Sequence, residues 1–102
     1  MKRTSLQLLK IYGNNPMEIQ YVDDSLLDIK FWKKSGNKAI QNKIEQLILA
    51  IIEEPYSGIG KPEPLKYEFS GKWSRRINDE HRIIYEVIED VLYIYSLKGH
   101  YK

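Results

Sequence analysis

Glu63 stands in the motif KPEPL, flanked by Pro62 and Pro64, and Lys66 follows directly after it. The segment WSRRINDEHR, Trp73 to Arg82, gathers Arg75, Arg76, His81 and Arg82, and the chain closes on His100, Tyr101 and Lys102. A glutamate, a histidine, arginines and a lysine form the set that metal-independent RNA cleavage requires. A base takes the proton of a ribose 2′-OH, which attacks the neighbouring phosphorus. An acid protonates the departing 5′-oxygen, and cations stabilise the charge that develops on the phosphorane. DNA has no 2′-OH, so this chemistry leaves it uncut.

Each residue also has a plain structural explanation. Arginines on a strand can simply belong to a solvated face. Glu63 can be a solvated turn glutamate, although the fixed φ of the flanking prolines stiffens the backbone that carries it. Terminal residues usually fray, yet the apolar run VLYIYSL ends only three residues before His100, so a strand could deliver that histidine to a sheet edge. His81 opens a strand beside a turn and reads as structural. Neighbouring strand residues point to opposite faces, so Arg75 and Arg76 cannot both meet one ligand. Arg76 shares a face with Ser74, whereas Arg75 sides with Trp73 and Ile77; which of them lies opposite Arg82 is left open.

The elements that must position these groups follow from periodicity. After the breaker GNNP, MEIQYV from Met17 reads as a strand. Asp23, Asp24 and Ser25 offer N-caps to a first helix that ends near Ser35-Gly36. Ile40, Ile44, Leu47, Ile48, Ile51 and Ile52 recur at the spacing of one apolar helix face, which Pro55 terminates. PLKYEF, WSRRI, HRIIYEVI and VLYIYSL then read as four strands joined by the short polar turns Ser70-Gly71-Lys72, Asn78-Asp79-Glu80 and Glu89-Asp90. The expected fold is α+β, an N-terminal strand and a helical hairpin packed on one face of an antiparallel sheet, with the other face open. Residues 1–16 read as an extension outside the domain 17–102. The alternative is a short packed element through Leu6, Leu8, Leu9 and Ile11.

Bulk properties narrow the classes. The 102 residues leave room for one modest core, and 42% hydrophobic with 29% charged residues is a globular balance. A net charge of +2 makes any polyanion site a matter of local clustering. The absence of cysteine excludes disulfides and thiolate metal sites, and two histidines are too few for a histidine-built metal centre, so neither metal nor cofactor is expected. No stretch reaches the ~20 apolar residues of a membrane span and no signal-peptide pattern opens the chain, so a cytoplasmic protein is expected.

The run GIGKPEPLKYEFSGKWSRRINDEHRIIYEV and the terminal GHY closely resemble the Txe/YoeB family of toxins in the RelE/ParE superfamily, over Met17 to Tyr101. The resemblance implies a RelE-like fold and the endoribonuclease of a type II toxin–antitoxin pair, cutting messenger RNA in the ribosomal A site. Position by position, it implies Glu63 as general base, Arg82 as the arginine that stabilises the transition state and His100 as general acid. It gives Lys66, Arg76 and Tyr101 the task of binding or orienting the RNA. The implied partners are messenger RNA on the ribosome and a cognate antitoxin of the YefM/Axe type, with a homodimer open as an oligomeric state. Two features depart from the family pattern: Lys102 follows the tyrosine at which members commonly end, and a leader precedes Met17. The rival functions are a non-catalytic binder on the same scaffold, of the gyrase-inhibitor type, and a degenerate toxin that only binds its antitoxin. Superfamily relatives that inhibit gyrase do not carry the set Glu63, His100 and Tyr101.

Overall fold

The computed structural model describes residues 10–12 and 15–99, with side chains from Met17 onward. Along the chain come β1 (Lys10–Tyr12), β2 (Asn15–Tyr21), α1 (Ser25–Ser35), α2 (Lys38–Glu53), β3 (Glu63–Pro64), a 3-10 turn (Tyr67–Phe69), β4 (Trp73–Arg76), β5 (Arg82–Ile88) and β6 (Val91–Ser96). They build the expected α+β architecture. The sheet order is β1-β2-β6-β5-β4-β3. Strands β3 to β6 form the antiparallel meander, whereas β2 joins parallel to β6 and makes the sheet mixed. The long connection that such a parallel pairing needs holds both helices and β3 to β5. Lys10–Tyr12, in the segment read as an extension, pairs antiparallel with Asn15–Met17 at the sheet edge.

The apolar stripe of α2 is buried at all six expected positions. It packs on Ile19, Ile83, Tyr85, Leu92 and Ile94 from the inner sheet face, each burial worth about 1.5–3 kcal/mol. Asn37 caps α2 by accepting the Ile40 N–H at 3.1 Å. The Asp24 side chain makes no such cap on α1; there the Ser25 hydroxyl donates back to the Val22 carbonyl at 2.7 Å. Gly36 ends α1 at φ 73°, a left-handed conformation suited to glycine.

PLKYEF departs from the strand reading. Only Glu63 and Pro64 pair with β4, and the chain then turns at Tyr67, whose φ of 59° breaks the extended run. Pro64 also lacks the N–H that a longer ladder would use. This short strand keeps Glu63 at the sheet edge.

Tyr21 is 8% exposed, in the wall of a groove of about 200 Å³ bounded by α1, α2 and β2, and its hydroxyl has no hydrogen-bond partner among the described residues. Burial pushes that hydroxyl up from 10.0 to about 12. Above pH 10 the unfolded chain therefore loses this proton before the folded one does. The contribution of Tyr21 to stability is complete below pH 10 and is lost as pH rises toward 12, by an amount on the order of 2 kcal/mol. Burial also pushes the Tyr85 and Tyr95 hydroxyls up, so Tyr21→Phe should make the alkaline limb of urea-unfolding stability shallower without abolishing it, and hold neutral-pH stability. An unchanged limb would refute it.

Candidate functional site

The sheet face turned away from the helices carries Glu63, Arg76 and Arg82 in register. Glu63 pairs with Ser74, Ser74 with Ile84, and Ile84 with Ser96, so these four form one row across β3, β4, β5 and β6. Arg76 lies directly opposite Arg82 in the adjoining row. Residues opposite each other share a face, which settles the question that alternation left open: Arg76, and not Arg75, stands beside Arg82.

Arg82 links the two rows. Its Nη1 is 3.5 Å from Glu63 Oε1 and 3.3 Å from the Ser74 hydroxyl, and the side chains of Arg82 and Glu63 are 22% and 63% exposed. A long, solvated ion pair of this kind contributes at most about 1 kcal/mol, so it holds the two groups as neighbours without committing either of them. Among the described residues, the Arg76 and Lys66 side chains make no hydrogen bond or ion pair. Lys66 is exposed and leads into the 3-10 turn, on the segment that also carries Glu63. A carboxylate and two adjacent guanidiniums thus share one face of the sheet, and Lys66 follows three residues after Glu63. Such a set can accept a proton beside a cationic cradle for phosphate. No group of three or more His, Asp or Glu among the described residues is disposed to hold a metal ion.

Arg75 has an unrelated task. It is fully buried on the inner face. Its Nη2 donates to the carbonyls of Glu54 (2.6 Å) and Ser57 (2.8 Å), its Nη1 to that of Ile59 (3.1 Å) and its Nε to the Tyr85 hydroxyl (3.2 Å). The Tyr85 hydroxyl in turn donates to the Pro55 carbonyl at 2.6 Å. This clamp fixes the 54–59 loop that leads to Glu63. The Gly60 carbonyl accepts the Arg76 N–H at 2.6 Å; Gly60 has φ 82°, and a Cβ there would lie 3.1 Å from Arg75 Cβ and 3.3 Å from the Arg76 carbonyl oxygen, so the loop approaches the strand this closely only with glycine.

His100 and Tyr101 lie outside the described residues; the segment that leads to them, up to Gly99, is described. Leu97 donates its N–H to Asp28 (2.8 Å), and its carbonyl accepts the Trp32 indole N–H (2.9 Å). Gly99 donates to His81 Nδ1 at 2.8 Å, while its carbonyl accepts the Arg82 N–H at 2.8 Å. The root of the tail is therefore bonded to the backbone of Arg82 itself. Asp28 and Trp32 were not singled out in the sequence, because partners 69 and 65 residues away leave no local pattern. His81 does hold structure, as read, but the structure it holds is the tail root.

Residues 21–101 match the family described as the YoeB-like toxin of bacterial type II toxin–antitoxin systems. The chain is similar to Toxin YoeB of Synechocystis, at 44% identity over 86 residues, covering 84% of this chain and 99% of that protein. Among solved structures, it superposes on a YoeB/ParE toxin from Agrobacterium tumefaciens with a TM-score of 0.79 at 37% identity, covering 83% of this chain and 100% of that one. A YoeB–YefM complex from Staphylococcus aureus gives a TM-score of 0.76 at 38% identity, covering 83% and 98%.

Proposed function

Because the chain belongs to the YoeB-like toxin family of type II toxin–antitoxin systems, we propose that it is a ribosome-dependent endoribonuclease that cuts messenger RNA in the A site. The observation that carries this reading is Glu63 within 3.5 Å of Arg82, with Arg76 opposite Arg82 on the same sheet face. In the proposed mechanism Glu63 takes the 2′-OH proton, and the oxygen attacks the adjacent phosphorus. Arg82 and Arg76 meet the charge on the phosphorane. His100 protonates the leaving 5′-oxygen, while Lys66 and Tyr101 hold the RNA. The P–O bond to the 5′-oxygen breaks as the P–O bond to the 2′-oxygen forms, leaving a 2′,3′-cyclic phosphate.

A carboxylate is a weak base for a ribose hydroxyl, and free single-stranded RNA seldom aligns its 2′-OH with the leaving oxygen. Alignment by the ribosome would supply the missing factor. The cognate antitoxin, of the YefM/Axe type, would dock an acidic segment over Arg76, Arg82 and the tail, folding as it binds. A messenger substrate and such an antitoxin partner would both be met in the cytoplasm. The test compares one defined message, free and on translating ribosomes, by primer extension. Ribosomes should accelerate the cut by about 10³-fold or more, within the range that orientation supplies, and added antitoxin should stop it. Equal rates on both substrates would defeat ribosome dependence.

A further inference from the structure

Gly99 sends its two backbone groups to consecutive residues of β5's entry, the N–H to His81 Nδ1 and the carbonyl to the Arg82 N–H, each at 2.8 Å. For Nδ1 to accept, the imidazole must be neutral with its proton on Nε2. The ring is held in that orientation from the other side. It packs edge-on against Trp32, with centroids 4.9 Å apart at 77°, and Trp32 is itself fixed by its bond to the Leu97 carbonyl. The His81 carbonyl accepts the N–H groups of Ile77 (2.8 Å) and Asn78 (3.2 Å), and its N–H donates to Asn78 Oδ1 (2.8 Å), so its backbone is anchored as well. A turn at Gly99, with φ of 74°, directs the chain into His100 from this anchored point.

We propose that His81 is a positioning residue: its Nδ1 fixes Gly99 and so sets the start of the tail against the backbone of Arg82. This rests on His100 acting from the tail, as proposed above. His81 touches neither the substrate nor the reacting atoms. It acts by limiting where the residue after Gly99 can go, and misplacement of a catalytic group by about 1 Å can cost on the order of 10²-fold in rate.

The side chains of Asn and Gln separate position from polarity. The Asn Oδ1 stands where Nδ1 stands, one bond beyond Cγ, whereas the Gln oxygen falls nearer the place of Nε2. Both are polar and both should fold. His81→Asn should keep kcat on ribosomes within about threefold of wild type. His81→Gln should lower kcat by roughly 10- to 100-fold with KM nearly unchanged. Amide exchange at Gly99, followed by NMR in the full chain, should quicken about tenfold or more in His81→Gln and not in His81→Asn. Unchanged Gly99 exchange in His81→Gln overturns the clamp. Faster exchange with unchanged kcat overturns its link to catalysis. If the wild-type protein does not cut RNA at all, the nuclease reading fails, while the Gly99 exchange still decides whether His81 holds the tail root.

Discussion

Glu63→Gln is expected to lower cleavage of ribosome-bound message by about 10²- to 10⁴-fold, the usual worth of one positioned proton-transfer group. The substitution keeps the shape and hydrogen-bonding capacity of the side chain and removes only the base. Glu63 is on a two-residue edge strand with its side chain 63% exposed, so stability should move by no more than about 0.5 kcal/mol. Ribosome association should survive. Arg82→Ala should likewise reduce kcat more than it weakens ribosome binding, because its charge matters most when the phosphorane forms. A single-turnover assay alongside ribosome co-sedimentation separates these effects. A Glu63→Gln protein that cut at the wild-type rate would remove Glu63 from the mechanism.

The second large effect falls on the neighbour of a site residue. Arg75→Met should destabilise the fold by about 3–5 kcal/mol, because it leaves three loop carbonyls and the Tyr85 hydroxyl without their donor in a fully buried place. For a chain of this size that lowers Tm by roughly 12 °C or more. Arg75→Lys retains the charge but cannot reach four acceptors from one ammonium, so it should recover less than half of the loss. Arg76→Met should shift Tm little, since its half-buried side chain has no bonded partner among the described residues, while reducing cleavage. Thermal unfolding of the two methionine variants checks the contrast. Equal Tm losses at positions 75 and 76 would contradict the division of labour between the two faces.

That division was partly legible in the sequence. Strand alternation separates Arg75 from Arg76, and the aliphatic spacing from Ile40 to Ile52 identifies the stripe that α2 buries, because both are local periodicities. Alternation says nothing of register, so the pairing of Arg76 with Arg82 needed the ladder. It also says nothing of what a buried guanidinium will meet, and Arg75 is satisfied by carbonyls 16 to 21 residues upstream. The parallel pairing of β2 with β6 was hidden for the same reason: its partners are more than 70 residues apart. PLKYEF carries apolar and aromatic residues that suit a strand, yet of these only Pro64 pairs, beside Glu63, and the positive φ of Tyr67 breaks the extended run. At the site, the motif KPEPL drew attention to Glu63 through its prolines, whereas the parts given to Arg82 and Arg76 came with the family resemblance. The tail clamp through Asp28, Trp32 and His81 depends on contacts between distant segments and had no signature of its own.

The central claim is that the ribose 2′-OH is the nucleophile that cuts the message. The most direct test replaces a single nucleotide at the mapped cut position with its 2′-deoxy counterpart, in an otherwise unmodified message on programmed ribosomes. Primer extension should then show the cut lost at that position, while the unmodified message is cut there as before. A cut that persists at the deoxy position, at the rate of the unmodified message, would contradict attack by the 2′-OH and with it the role given to Glu63.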